Sequence, residues 1–168
     1  NANYVKKVIF PIEIQPATLV GVAGFHALIA TLILIGAVVV LGGALHWTVL
    51  WLPVLILPLL VISLGLAWLL AALGVFLRDI GQVTGVVASV LMFLAPVFYP
   101  LSALPDGFQH FLYLNPLTYV IEEVRGVVFA GVSPDWAGLA MFYAIALAVT
   151  QFGYWVFQKS RNGFSDVL

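Results

Sequence analysis

The sequence predicts an all-α integral membrane protein, a polytopic helical bundle of four spans with a short re-entrant pair of half-helices between the last two. Three observations predict it. The chain is 64% hydrophobic and only 8% charged, with mean hydropathy +1.17, against about 25% charged residues in soluble proteins. No Asp, Glu, Lys or Arg interrupts the interval between Glu13 and Arg78. Five of the six basic residues fall where a chain that crosses four times would meet the same side of a membrane.

The elements follow in order. The charge-free interval is about twice what one span needs, since a helix crosses the hydrocarbon core with roughly 20 residues. It breaks naturally at Gly42-Gly43-Ala44-Leu45-His46-Trp47, where paired glycines and an interfacial Trp signal a turn at the bilayer surface. The first span is therefore expected over 17–41 and the second over 49–77. Pro53 and Pro58 fall inside the second, where neighbouring helices can satisfy the backbone groups that proline frees. Arg78-Asp79 returns the chain to water, a third span is expected from Ile80 to Phe98, and a fourth from Trp136 to Phe157. Lys6, Lys7, Arg78, Lys159 and Arg161 all lie on one side of such a chain, which the positive-inside rule makes cytoplasmic. The expected divisions are 1–16 and 158–168 in the cytoplasm, three spans within 17–98, an external segment 99–135, and the last span. Because the chain opens Asn1-Ala2-Asn3-Tyr4, with neither an initiating Met nor a signal-peptide pattern, its numbering is expected to start inside a longer protein.

The external segment is apolar where a loop should be polar. Its two apolar pieces, Phe108 to Leu114 and Leu117 to Gly131, are punctuated by proline and glycine and are too short to cross about 30 Å of hydrocarbon. They are expected as half-helices. Irregular backbone at membrane depth survives only when it is buried in protein or lines a watery cavity, so a pathway is expected there.

Composition excludes several chemistries. The absence of cysteine removes disulfides, thiolate metal sites and thiol nucleophiles. His26, His46 and His110 are too scattered for a metal cluster, and His26 reads as an interhelical hydrogen-bonding residue. A net charge of −1 gives no electrostatic reason to bind nucleic acid. No G-x-x-x-x-G-K-[ST] loop occurs, so the chain does not hold ATP phosphates by that device.

Three constellations remain. Asn3 to Pro16 sets Lys6, Lys7, Pro11 and Pro16 directly before a span. It reads either as a basic topology anchor or as a short cytoplasmic helix, ending at Pro11, that docks on a soluble partner. Glu122-Glu123-Val124-Arg125 places Glu122 and Arg125 three apart on one helix face, where they can pair. Ionisable groups in an apolar segment mark a functional site by default, although a headgroup-level pair reads equally well. Phe93, Phe98, Tyr99, Phe108, Phe111, Tyr113, Tyr119 and Phe129 gather in the external half. Individually they read as interfacial belt residues; together they could grip the C–H faces of sugar rings. Gly81-x-x-x-Gly85 could admit a close helix neighbour.

The segment Asn3-Tyr4-Val5-Lys6-Lys7-Val8-Ile9-Phe10-Pro11-Ile12-Glu13-Ile14-Gln15-Pro16 resembles the coupling segment of type-2 ABC exporter permeases of the polysaccharide group. Leu77-Arg78-Asp79-Ile80, Ala95-Pro96-Val97-Phe98-Tyr99-Pro100, Leu114-Asn115-Pro116-Leu117 and Glu122 to Gly126 resemble the carboxy-terminal half of the same family, in the same order. The resemblance covers nearly the whole chain. It implies that these are the third to sixth of six spans in a bacterial cytoplasmic (inner) membrane, and that two copies form a homodimer channel in membrane lipid. It also implies two ATPase subunits, which would bind ATP and Mg while this chain carries no cofactor. The implied substrate is a lipid-linked polysaccharide of the O-antigen, capsule or teichoic acid type. On this resemblance Asn3, Tyr4, Lys6, Lys7, Phe10 and Pro11 would couple to the ATPase, which favours the docking reading. Asn115, Pro116, Glu122, Glu123 and Arg125 would form the external gate, and Phe98, Tyr99, Tyr113 and Tyr119 would be polymer contacts. The competing expectations are a permease of the same fold for drugs or lipids, a membrane enzyme acting on lipid-linked sugars, and a structural membrane subunit. An acid/base or metal cluster would distinguish the enzyme, and the sequence assembles none.

Overall fold

The computed structural model describes residues 13–77 and 79–161, apart from the side chains of Asp106 and His110. Helix α1, Ile14–Val40, rises to an upper end and closes through Gly42, whose φ of +76° suits glycine. A 3₁₀ turn, Trp47–Trp51, leads into α2, Leu52–Phe76, which descends. Helix α3, Ile80–Leu94, rises again. The chain then stays at the upper end through the short helices α4, Asp106–Leu112, and α5, Pro116–Arg125, and a π turn, Gly126–Ala130. Helix α6, Trp136–Ser160, descends beside α2.

Three of these are long and apolar enough to cross a membrane: α1, the continuous stretch Trp47–Phe76, and α6. At 1.5 Å per residue, the 27 residues of α1 reach about 40 Å. The chain is thus a multi-pass helical membrane protein. The expected third span differs. Helix α3 has 15 residues, about 22 Å, and stops at Leu94 instead of Phe98. The cause is Pro96, whose ring disfavours helical geometry in the residue before it: Ala95 is extended, with ψ 134°. Four apolar residues beyond Leu94 look like span to a hydropathy count but are not helix.

The α2–α6 pair is the rigid part. Gly65 and Gly153 meet where the two helices touch, and a Cβ on Gly153 would overlap the Gly65 carbonyl oxygen. Small residues allow this close approach, on which packing in lipid depends. Above the contact, polar groups of α6 reach the α2 backbone. The Thr150 hydroxyl lies 2.6 Å from the Val61 carbonyl oxygen. Tyr143 donates to the Val54 carbonyl at 2.8 Å. Val54 is four residues before Pro58, which has no N–H to give it, so the neighbouring helix supplies the missing donor as the sequence led us to expect.

The other long helices are loosely held. Helix α1 buries only Pro16 and Val38, and among the described residues α3 buries none. A Cβ on Gly81 or Gly85 would meet open space, so the small-residue pair in α3 has no close neighbour among the described residues. His26 lies exposed on α1, its ring beside Phe25, and not between helices.

Candidate functional site

The site is built at the upper end from the point where α3 fails. Leu91, in the last turn of α3, offers its carbonyl to Ala95 N–H at 3.0 Å and to the Asn115 side-chain amide at 2.9 Å. The other end of that amide caps α5, since Asn115 Oδ1 accepts from Leu117 N–H at 3.0 Å. Pro116 occupies the first helical position, where a missing N–H costs nothing. One buried side chain, 5% exposed, therefore joins the end of α3 to the start of α5.

A second tie sits at the far end of α5. Arg125 Nη1 pairs with Glu122 Oε1 at 2.6 Å, the i,i+3 pair expected from the sequence. The same guanidinium donates to the Tyr99 carbonyl at 3.3 Å and, through Nη2, to the Val97 carbonyl at 3.0 Å. A guanidinium supplies several donors in a fixed plane, and here they satisfy the backbone of the stretch that is neither helix nor strand. Phe98 lies between the two tethered carbonyls and is 91% exposed.

The return to α6 is equally determined. Val127 and Val128 in the π turn are buried, and the Val127 carbonyl accepts from the fully buried Thr48 hydroxyl at 2.6 Å. Gly131 follows with φ +64°, and a Cβ there would also strike the His46 ring, so two separate constraints demand glycine. Asp135 caps α6, accepting from Ala137 and Gly138 N–H at 3.1 Å each. Its own N–H donates to Glu123 Oε2 at 3.1 Å, and its carbonyl accepts the Tyr119 hydroxyl at 3.3 Å. Crowding of acceptors has its effect on protons. Desolvation, and secondly the Glu123 and Asp135 charges, push the Tyr119 phenol up to about 12. Desolvation also raises the Glu123 carboxyl; the Asp135 N–H pulls against it and the Asp135 charge adds to it.

The expected gate residues Asn115, Pro116, Glu122, Glu123 and Arg125 thus sit on one short helix, each in a defined contact except Pro116, whose contribution is its conformation. The expected polymer contacts divide. Phe98 and Tyr113 are exposed, beside Phe108 and Phe111 in the same segment. Tyr99 and Tyr119 are engaged: the Tyr99 hydroxyl donates to the Leu94 carbonyl at 3.2 Å, and the Tyr119 ring packs edge-on against Phe142 at 5.5 Å. The coupling residues Asn3, Tyr4, Lys6, Lys7, Phe10 and Pro11 lie outside the described residues.

Sequence reasoning missed Thr48, His46 and Asp135. Asp135 was legible as an N-cap, an Asp directly before an apolar helical run. Nothing local in the sequence pairs Thr48 with Val127, 79 residues away. Among the described residues no group of three or more His, Cys, Asp or Glu could hold a metal ion. The arrangement braces an irregular stretch of backbone and leaves the Phe98 ring exposed beside it.

Comparison with known proteins gives a consistent picture. The model of a family described as ABC-2 type transporter matches residues 1–129. The chain is 25% identical over 171 residues to the O-antigen export system permease protein RfbA of Klebsiella pneumoniae, covering 100% of this chain and 65% of that protein. It is 26% identical over 164 residues to the RfbA of Myxococcus xanthus, covering 95% of the chain and 62% of the relative. Polysialic acid transport protein KpsM of Escherichia coli is 27% identical over 96 residues, which cover 54% of the chain and 36% of KpsM. The chain therefore spans slightly less than two thirds of the length of the first two relatives.

Proposed function

The chain belongs to the ABC-2 type transporter family, and on that basis we propose that it is the permease subunit of an exporter that moves a lipid-linked polysaccharide out of the cytoplasm. Transport, not catalysis, is its contribution, and a separate ATPase binding ATP and Mg supplies the energy. Two copies form the channel in the bacterial inner membrane, with two ATPase subunits below. Asn3, Tyr4, Lys6, Lys7, Phe10 and Pro11 form the contact through which hydrolysis is felt, and the upper end faces outward.

The observation that carries this reading is the segment after α3. It is apolar, too short to span, and braced by Asn115 and Arg125 into a frame with exposed Phe98 and Tyr113. Irregular backbone of this kind at membrane depth is tolerated beside a water-filled cavity. Rings without fixed charge grip a sugar chain by apolar contact and let it slide. In support, the relatives are named for O-antigen export and polysialic acid transport.

The test is reconstitution of the full-length protein with its ATPase in vesicles, scoring transfer of lipid-linked polymer against lipid alone and small apolar drugs. ATP-dependent transfer of the polymer is expected. Transfer of lipid or drug but not polymer would replace this reading with a permease of the same fold and another cargo.

A further inference from the structure

We propose that Glu13 is a positioning residue, a joint through which displacement of the amino-terminal segment is passed to the α2–α6 pair. The proposal rests on the permease reading above but concerns the opposite end of the molecule from the candidate gate.

Glu13 is the residue from which α1 starts, and it is the last acidic or basic residue before the charge-free interval. An acidic side chain there would ordinarily serve the free N–H groups of the first turn. Here it makes no capping bond. Its carboxylate reaches Arg161 at the foot of α6, with Oε1 3.4 Å from Nη1. Its backbone carbonyl accepts Trp68 Nε1–H from the lower part of α2 at 3.0 Å. One residue thus bonds to both members of the rigid pair. Trp68 is itself placed between them: its ring lies edge-on to Tyr154 of α6 at 5.0 Å and it packs against the buried Ala72 and Phe157.

The location matters more than the strength of these contacts. An exposed ion pair contributes little to stability by itself, and Arg161 is half exposed. Yet α1 packs on the core toward its upper end, through Leu34, Ile35 and Val38, and buries only Pro16 near its lower end, so that end has few other ties. A push arriving at the start of α1 would be absorbed by a loosely held helix unless that end is fastened to α2 and α6. Glu13 Oε2 is buried and, among the described residues, without a partner, so Arg161 is the one charged group that meets this carboxylate there.

The experiment uses the absence of cysteine from these 168 residues, any cysteine elsewhere in the full-length protein being first replaced by serine. Spin labels are placed at Gln15→Cys and Ser160→Cys in the full-length protein assembled with its ATPase, and their distance distribution is read alongside ATP consumed per polymer transferred. With the native pair a narrow distribution and tight coupling are expected. Glu13→Gln and Arg161→Glu should each broaden the distribution and raise ATP consumption per polymer severalfold, with complex assembly unchanged. The swap Glu13→Arg/Arg161→Glu should recover both, a result that simple loss of folding would not give. Unchanged label distances and unchanged coupling in Glu13→Gln, or a swap that recovers neither, would overturn the proposal. If the unsubstituted complex hydrolyses ATP and moves no polymer, the permease reading fails, while the label distances still decide whether the joint exists.

Discussion

Arg125 illustrates how much structure one side chain can hold when the backbone beside it is irregular. Its three bonds, to Glu122, Val97 and Tyr99, replace the ladder that α3 would have continued had Pro96 not ended it. Arg125→Gln keeps some polarity but cannot span both carbonyls and leaves Glu122 unpaired. Bonds to a charged donor contribute about 1.5–3 kcal/mol where buried, and partial exposure puts this one near the low end. Exchange of the Val97 amide, which is bonded to the Ala95 carbonyl at 2.7 Å, should therefore quicken by about tenfold as the stretch loosens, the equivalent of roughly 1.4 kcal/mol. Arg125→Lys should recover little, because a single ammonium cannot reproduce the planar fork. Phe98→Ala should leave exchange of the Val97 amide unchanged while slowing polymer transfer, since the ring projects from the frame without bracing it. Equal exchange rates in Arg125→Gln and the unsubstituted protein would remove the bracing role. The Glu122–Arg125 pair was legible from its spacing of three, but its two bonds to the backbone were not. Main-chain acceptors carry no residue-type signature, so no pattern in the sequence announces Val97 and Tyr99 as partners.

Among the elements, α2 and α6 show how a proline is carried inside a membrane. Pro58 removes the donor for Val54, and the Tyr143 hydroxyl restores one from the next helix. The two substitutions should therefore be coupled. Tyr143→Phe alone is expected to destabilise the folded protein by about 1 kcal/mol, in the range of interhelical hydrogen bonds in bilayers. In a Pro58→Ala background the new N–H serves Val54, so Tyr143→Phe should cost markedly less. Additive losses in steric-trap or denaturant unfolding would show that Tyr143 acts by packing alone. Hydropathy located α1, α2 and α6 because each is an unbroken apolar run flanked by turn or charge signals. It overran α3 because Ala95, Val97 and Phe98 are as apolar as a span, and only the rule for residues preceding proline separates them from helix. Two short helices here were legible from punctuation: Pro105 and Pro116 open α4 and α5, and Gly131 ends the following π turn in the left-handed conformation. The Tyr143–Val54 contact was foreseeable as a need of Pro58, yet the residue that meets it depends on the register of two helices far apart in sequence.

For the whole molecule, the distribution of packing is lopsided, and this bears on how a channel could arise. The α2–α6 pair carries the buried residues of both helices and the close glycine contact. On the far side α3 buries none of its side chains among the described residues, leaves Gly81 and Gly85 open, and ends at the braced frame carrying Phe98. A helix of about 22 Å is short for a bilayer of about 30 Å. Mismatch of this kind is relieved by thinning the bilayer or by association. In a proposed homodimer the two α3 helices would face one another across the seam, their small residues at the approach and their upper frames together forming one opening. A single cysteine tests this, since these 168 residues hold none and any elsewhere in the full-length protein can be replaced by serine. Ser89→Cys, on an exposed face of α3, should give a disulfide-linked dimer on mild oxidation in native membranes. Leu19→Cys, exposed on α1, should not. Efficient cross-linking at position 19 with none at 89 would move the seam to α1. Were it to run along α3, Gly85→Leu should block cross-linking and polymer transfer together while leaving the α2–α6 contacts untouched, because a Cβ at position 85 meets nothing among the described residues.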